Sequence, residues 1–326
     1  MLSLRDLENC NLCEWRCGVD RLAGERGVCG LGQLIVAHST LHPAPPASFD
    51  AFMAGCNFRC LFCQNWSIAH YPQNPHSETE GCYEPREWAG MALAELDSAA
   101  AHMIGADRLF FTGGEPTPSL PWIEEVVREA RAVNPETKVN YDTNGFLTKA
   151  SLRRVLSFAT SITFDIKAFE EETFSWLTGA FAEPVLRNAE TIGKYHKDKL
   201  WEFRIMVIEG VHDGELRDLC EFISDIDPTL PASFLAFRPN FVLEDLRGPS
   251  IDFMRSCVEV AHSSGLENVN WSGHPSIPGV EPGSEGSDLV SHYARLGGCH
   301  VERRICKNCG SVNDCPVKRY VPGRRT

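Results

Sequence analysis

The sequence predicts an α/β fold, a partial (β/α)6-type TIM barrel with small Cys-rich extensions at both ends. Short apolar runs alternate with longer amphipathic ones between residues 47 and 273. Polar residues gather at the C-terminal ends of successive apolar runs, and the cysteines fall into three groups, one at the head of the alternation and one on either side of it.

Strands are expected at 51–55, 108–112, 138–142, 161–167, 200–208, 233–237 and 268–271. Helices are expected between them. Residues 85–104 are Ala- and Leu-rich, and 121–133 carries Ile123, Val126, Val127 and Ala130 at helical spacing. Residues 151–158, 214–226 and 251–264 follow the same period. Strand then helix, six or seven times over, calls for parallel strands joined by right-handed crossovers. A doubly wound sheet fits that alternation too. The polar residues decide for a barrel: 112–115, 142–144 and 165–167, with Arg204 and Arg238, stand at one strand end after another. A barrel mouth collects ligand groups from many strands, whereas a doubly wound sheet offers one crevice. Three parts follow. Residues 1–46 are a Cys- and Gly-rich segment ending in the stiff run His42-Pro43-Ala44-Pro45-Pro46, read as a linker. Residues 47–273 are the barrel, and 274–326 are a Gly/Pro/Ser-rich stretch followed by a second Cys-rich segment.

A formal charge of -13 argues against general binding to nucleic acid or anionic membranes, which needs a basic surface. No run approaches the roughly 18 apolar residues of a membrane span. The start, MLSLRDLENCNLCEWRC, lacks a basic region followed by an apolar run and does not read as a signal peptide. A cytoplasmic protein is expected. In a reducing compartment, fourteen cysteines point to metal binding more than to disulfides. Cys82, Cys220 and Cys257 stand alone and are expected as buried small hydrophobes.

The central group, Gly55-Cys56-Asn57-Phe58-Arg59-Cys60-Leu61-Phe62-Cys63, presents C-x3-C-x2-C directly after an expected strand. Three thiolates on one loop can ligate three irons of a 4Fe–4S cube and leave the fourth iron open. Structural zinc wants four closed protein ligands, for which His70 is the nearest fourth. A redox pair needs only C-x2-C and leaves Cys56 without a role. Of the flanking groups, Cys10-x2-Cys13-x3-Cys17-x11-Cys29 can close around zinc or a second cube. Cys299-x6-Cys306-x2-Cys309-x5-Cys315 can do the same. Either group could equally be a metal staple ordering a core-poor segment. The last segment also carries Arg303, Arg304, Lys307, Lys318, Arg319, Arg324 and Arg325, a basic tail that either docks an acidic partner or is simply solvated.

C-x3-C-x2-C with an aromatic before the last cysteine resembles the radical-AdoMet superfamily. Residues 49–240 are similar to the activating enzymes of glycyl-radical enzymes and their relatives, through Thr112-Gly113-Gly114-Glu115-Pro116, Asp142-Thr143-Asn144-Gly145-Phe146, Asp165-Ile166-Lys167 and Phe203-Arg204. The resemblance implies a 4Fe–4S cluster on Cys56, Cys60 and Cys63 whose open iron chelates S-adenosylmethionine (AdoMet). It implies that Gly113, Gly114, Glu115 and Pro116 hold the AdoMet amino group, that Lys167 faces its carboxylate, and that Asn144, Arg204 and Arg238 join the cofactor site. A monovalent cation is implied at Asp142, Thr143 and Asp165, with a carbonyl near Thr163. Without such a cation the two carboxylates should repel and raise one pKa. Arg204 fits a salt bridge of the barrel mouth as well as an AdoMet contact. Arg238 stands where the activating enzymes carry histidine, a departure from that subgroup. The N-terminal leader is similar to that of an extended branch of relatives, and the C-terminal spacing to auxiliary-cluster extensions of peptide-modifying members.

The implied activity is reductive cleavage of AdoMet to a 5′-deoxyadenosyl radical, which takes hydrogen from a protein, peptide or small molecule in an anaerobic cell. The implied partners are a low-potential donor such as ferredoxin or flavodoxin and the substrate. A glycyl-radical activating enzyme is the alternative within the enzymes. A multi-cluster electron carrier or metal-binding module is the alternative outside them, and a carrier has no need of complete GGEP, DTNGF and Asp-x-Lys segments.

Overall fold

Every expected strand forms, and an additional one precedes them: β1 (Val36–His42), β2 (Ser48–Met53), β3 (Arg108–Gly113), β4 (Lys138–Thr143), β5 (Ser161–Ile166), β6 (Leu200–Val207), β7 (Ala232–Ala236) and β8 (Val269–Ser272). The computed structural model describes residues 5–70 and 79–272. The eight strands lie in chain order in one sheet, with β1 antiparallel to β2 and every later pair parallel. That order gives an open, partial barrel. The sheet has the composition that burial on both faces demands. Every position of β2 is buried, and Leu109, Phe111, Val139, Tyr141, Ile162, Phe164, Phe203, Ile205 and Phe234 are fully buried.

Helical crossovers join β2 through β8. They comprise α2 (Trp66–Ala69), α3 (Pro85–Leu96), α4 (Ala99–Ile104), α5 (Leu120–Val133), α6 (Lys149–Phe158), α7 (Glu171–Thr178), α8 (Glu183–Tyr195), α9 (Leu216–Ile226) and α10 (Ile251–Ser263), after a short α1 (Arg5–Glu8). The amphipathic stripes expected from spacing are the buried faces: Ile123, Val126, Val127 and Ala130 of α5 face the sheet. The α6 and α10 starts are capped by Thr148 and Ser250, whose hydroxyls accept from Ser151 N and Phe253 N.

Three expectations change. The single helix expected over 85–104 is two, because the Ser98 hydroxyl accepts from Ala101 N and starts a new helix at Ala99. The helical connection expected between β5 and β6, for which the spacing gave no bounds, is two helices, α7 and α8, and Val185, Ala189 and Ile192 bury one face of α8 at helical spacing. The proline-rich run 42–46 is a hairpin connection and not an interdomain linker: His42 pairs with Ser48 and Leu41 with Phe49, so β1 covers the edge of the sheet. Cys220 and Cys257 are fully buried, as expected, whereas Cys82 is exposed. The group Cys299, Cys306, Cys309 and Cys315 and the basic tail lie outside the described residues. Among the described residues no helix is long and apolar enough to cross a membrane.

Candidate functional site

The loops that leave β2, β3, β4 and β5 meet at the C-terminal mouth of the sheet around one cavity of about 300 Å³. Backbone bonds set their positions. Gly114 N donates to Met53 O (2.8 Å) and Glu115 N to Gly55 O (3.0 Å), which lays the GGEP turn along the start of the cysteine loop. A Cβ at residue 114 would lie 2.1 Å from Gly55 O, so only glycine permits this approach. The Asn65 side chain donates to Gly113 O (3.0 Å) from the far end of the same loop. The Asn144 amide donates to Asn57 Oδ1 (2.7 Å), fastening the DTNGF turn to the cysteine loop as well.

Cys56, Cys60 and Cys63 all line the cavity. Burial pushes the Cys60 and Cys63 thiols up to about 12 and Cys56 further. The three also raise one another, a sign of their mutual closeness. Phe58 N donates to Cys56 Sγ (3.3 Å), and Lys167 and Arg59 oppose the upward shift at Cys60 and Cys63 respectively. Thiols held this way are protonated at neutral pH and ionise when a metal replaces the proton. Among the described residues no three His, Cys, Asp or Glu side chains close around a single ion.

The opposite wall is charged. Arg204 Nη2 is bonded to Asp142, and its Nε lies 2.9 Å from Asp165 Oδ1. Lys167 Nζ lies 2.6 Å from Asp165 Oδ2, and Thr112 Oγ1 donates to Asp142 Oδ2 (2.6 Å). The two carboxylates split as like charges should: burial and Asp165 raise Asp142 against the pull of Arg204, while Arg204 and Lys167 overcome burial at Asp165 and lower it. Burial disfavours the Lys167 ammonium, but Asp165 and Cys60 outweigh it and raise its pKa.

Two contacts bear on the residues expected at the cation site. The Arg204 guanidinium bridges Asp142 and Asp165. The Thr143 hydroxyl points elsewhere, donating to Glu115 Oε1 (2.8 Å). Glu115 lines the cavity as well. It is buried, and its carboxylate accepts from Thr117 and Thr143 hydroxyls and from the Thr117 and Asn144 amides. It therefore ties the GGEP turn to the DTNGF turn, with its pKa pushed up to about 7 by burial against those donors. Of the remaining expected site residues, Gly113, Gly114, Asn144, Lys167 and Arg238 line the cavity, while Pro116 precedes the 3-10 turn Thr117–Ser119 away from it.

His42 at the end of β1 and Asp50 on β2 also line the cavity, and neither is among the expected site residues. Asp50 is fully buried, accepts from Ser48 Oγ (2.6 Å) and lies 3.5 Å from His42 Nδ1. Burial, with Asp142 nearby, holds Asp50 well above the usual carboxylate range. Burial and Arg204 hold His42 down to about 4. Both shifts disfavour the charged forms of the two groups. The unfolded chain binds the His42 proton near 6.5 and the folded one near 4. Stability from this site is complete above the first value and is lost as pH falls toward the second. Urea unfolding at stepped pH should show that loss in the native chain and a shallower one in His42→Gln. Equal slopes would place the imidazole in a water-like setting.

A family model described as the radical SAM superfamily matches residues 51–223. An uncharacterized protein of Methanocaldococcus jannaschii is 26% identical over 341 residues, covering 94% of each chain. A protein of Thermococcus kodakarensis named as a probable GTP 3′,8-cyclase is 26% identical over 177 residues, covering 51% of this chain and 49% of its own. Among solved structures, a domain of a pyruvate-formate lyase-activating enzyme from Bacteroides vulgatus superposes with a TM-score of 0.43 at 18% identity, covering 51% of this chain and 99% of that one.

Proposed function

Because this chain belongs to the radical SAM superfamily, we propose that it cleaves AdoMet reductively at a 4Fe–4S cluster on Cys56, Cys60 and Cys63. The observation that carries this reading is the convergence of the three thiols with the GGEP, DTNGF and Asp-x-Lys segments on one cavity. The residues fit the group. Three buried thiols share one loop and one cavity, and Lys167 stands close enough to Cys60 to stabilise its thiolate. When bound, the cluster and AdoMet together supply a carbon-centred radical able to take hydrogen from an unactivated C–H bond.

The chain's own residues then bind and orient. The backbone of Gly113 and Gly114 is the close-approach surface for the AdoMet amino group. Lys167 and Arg238 are the cations for its carboxylate, and Asn144 holds the DTNGF turn against the cysteine loop. Phe58 and Phe62 keep water from the thiols. Thiolate clusters span roughly −700 to +450 mV, and reductive cleavage needs the low end, hence a donor such as ferredoxin or flavodoxin. The substrate is a protein, a peptide or a small molecule, and the setting is an anaerobic cytoplasm, where thiols stay reduced.

The test uses full-length protein purified and reconstituted without oxygen. AdoMet and dithionite are added, and 5′-deoxyadenosine is measured by chromatography. Nucleoside formed in proportion to cluster content is the expected result. Cluster-loaded protein that binds no AdoMet and forms no nucleoside would overturn the reading and leave a metal-cluster carrier.

A further inference from the structure

We infer that Cys10, Cys13, Cys17 and Cys29 form a second metal centre of four thiolates, and that this centre braces the loops of the AdoMet site. The brace rests on the function proposed above; the centre itself does not.

The four thiols span twenty residues of chain and lie near one another, although no three of them close around a single ion in this structure. Cys10 N donates to Val19 O (3.1 Å) and Gly18 N to Cys10 O (3.0 Å), which sets Cys10 beside the Cys17 turn. Val28 N donates to Cys17 Sγ (3.5 Å), one residue before Cys29. A Cβ at residue 27 would lie 2.7 Å from Cys17 Sγ, so glycine is needed for the two segments to close. Cys13 lies within electrostatic reach of the other three, and Cys29 of Cys10 and Cys17.

The local geometry repeats that of the central triplet. At Cys13 and Cys29 the amide two residues on, Trp15 or Leu31, donates to the sulfur. Phe58 and Asn65 do the same for Cys56 and Cys63. Amides aimed at sulfur stabilise thiolate, the form that binds metal.

A buried charge supplies independent support. Arg21 is 2% exposed and donates to Pro118 O (2.6 Å) and Gly32 O (3.3 Å), with Nη1 4.0 Å from Cys10 Sγ. Its Nη2 is buried without a partner, and no carboxylate pairs with it among the described residues. A buried cation without an anion is strongly destabilising. Four neutral thiols would leave it uncompensated. A tetrathiolate centre, whether it holds zinc or an iron–sulfur cube, carries net negative charge at that place.

The brace follows from what lies between the ligands. The Trp15 indole donates to Asn57 O (2.7 Å) in the cysteine loop, and Glu14 N to Phe146 O (3.1 Å) in the DTNGF turn. Arg21 holds Pro118, just past the GGEP turn, and Arg59 of the cysteine loop reaches back to Val28 O. One small segment thus touches all three loops.

The experiment compares full-length chains purified without oxygen. In a Cys56/Cys60/Cys63→Ala background, adding Cys10→Ser and Cys17→Ser should remove about four iron and four sulfide per chain if the centre is a cube, or about one zinc if it is zinc. Identical metal content with and without the serines overturns the centre. Should the serine pair fail to fold, the alanine background is changed instead at Cys306 and Cys309. Metal retained there supports the centre, and a metal-free chain overturns it. For the brace, Trp15→Phe keeps all four ligands and removes the bond to Asn57. AdoMet affinity measured by equilibrium dialysis should fall about fivefold with metal content unchanged. Unaltered affinity overturns the brace. A wild type that binds no AdoMet sinks the proposed function and the brace with it, while the metal comparison still decides the centre.

Discussion

Alanine at Cys60 should reduce AdoMet cleavage to background while the protein stays folded. The loop around Cys60 is held by its backbone: Arg59 N donates to Thr178 O (2.8 Å) and Leu61 N to Leu177 O (2.9 Å), independently of the sulfur. As a protonated, buried thiol, Cys60 packs as a small hydrophobe, and trimming it to alanine costs about 1 kcal/mol. The chemistry has no such tolerance. With Cys60 gone, two thiols remain on the loop, and among the described residues no other cysteine lines the cavity to replace it. Iron, sulfide and 5′-deoxyadenosine are measured beside a thermal unfolding curve. Loss of nucleoside with a near-native curve is expected. Nucleoside at the wild-type rate would remove Cys60 from the ligand set, and collapse of the fold would make the loop's own bonds insufficient.

Replacing Arg204 by methionine should cost about 3–5 kcal/mol of stability at neutral pH, the range for a buried ion pair that loses one partner. Arg204 is bonded to Asp142 and Asp165 at once, and both carboxylates are largely buried. Methionine fills much of the volume but leaves Asp165 with Lys167 alone and Asp142 with only the Thr112 hydroxyl. Both carboxylate pKa values then rise. The sign follows: the penalty is largest where the unfolded carboxylates are ionised and shrinks as pH falls and the folded pair takes up protons. Urea unfolding at pH 7 and pH 5 should show a smaller difference from wild type at the lower pH. Arg204→Lys should fall between the two, because one ammonium cannot bridge two carboxylates as a planar fork does. A methionine variant within about 1 kcal/mol of wild type would mean that something else balances the pair. Stability that then rose with added potassium or sodium would restore the monovalent cation that the family resemblance implies.

The local signals were readable for physical reasons. Strand and helix follow side-chain periods of two and about 3.6, so β2 through β8 and the stripe of α5 appear in the order of residues alone. The cysteine triplet was legible because its three thiols sit within eight residues, and the GGEP, DTNGF and Asp-x-Lys segments because each is contiguous. β1 was not. Its run Val-Ala-His-Ser-Thr-Leu-His mixes small, polar and apolar residues, and it becomes a strand because β2 offers a free edge to pair with. His42 was missed with it.

By itself, then, the sequence determined the alternation that builds the open barrel and the ligand types that stand at its mouth. Tertiary structure decided which partner each charged group takes. Arg204 meets Asp142 across 62 residues, Trp15 meets Asn57 across 42, and Arg21 meets Pro118 across 97. Glu115, expected at the AdoMet amino group, ties two loops together in the same way, through Thr143 of β4 and Asn144 just beyond it. No period or spacing encodes such pairs. They arise when strands distant in sequence become neighbours in the sheet and bring buried charges close enough that each must be balanced.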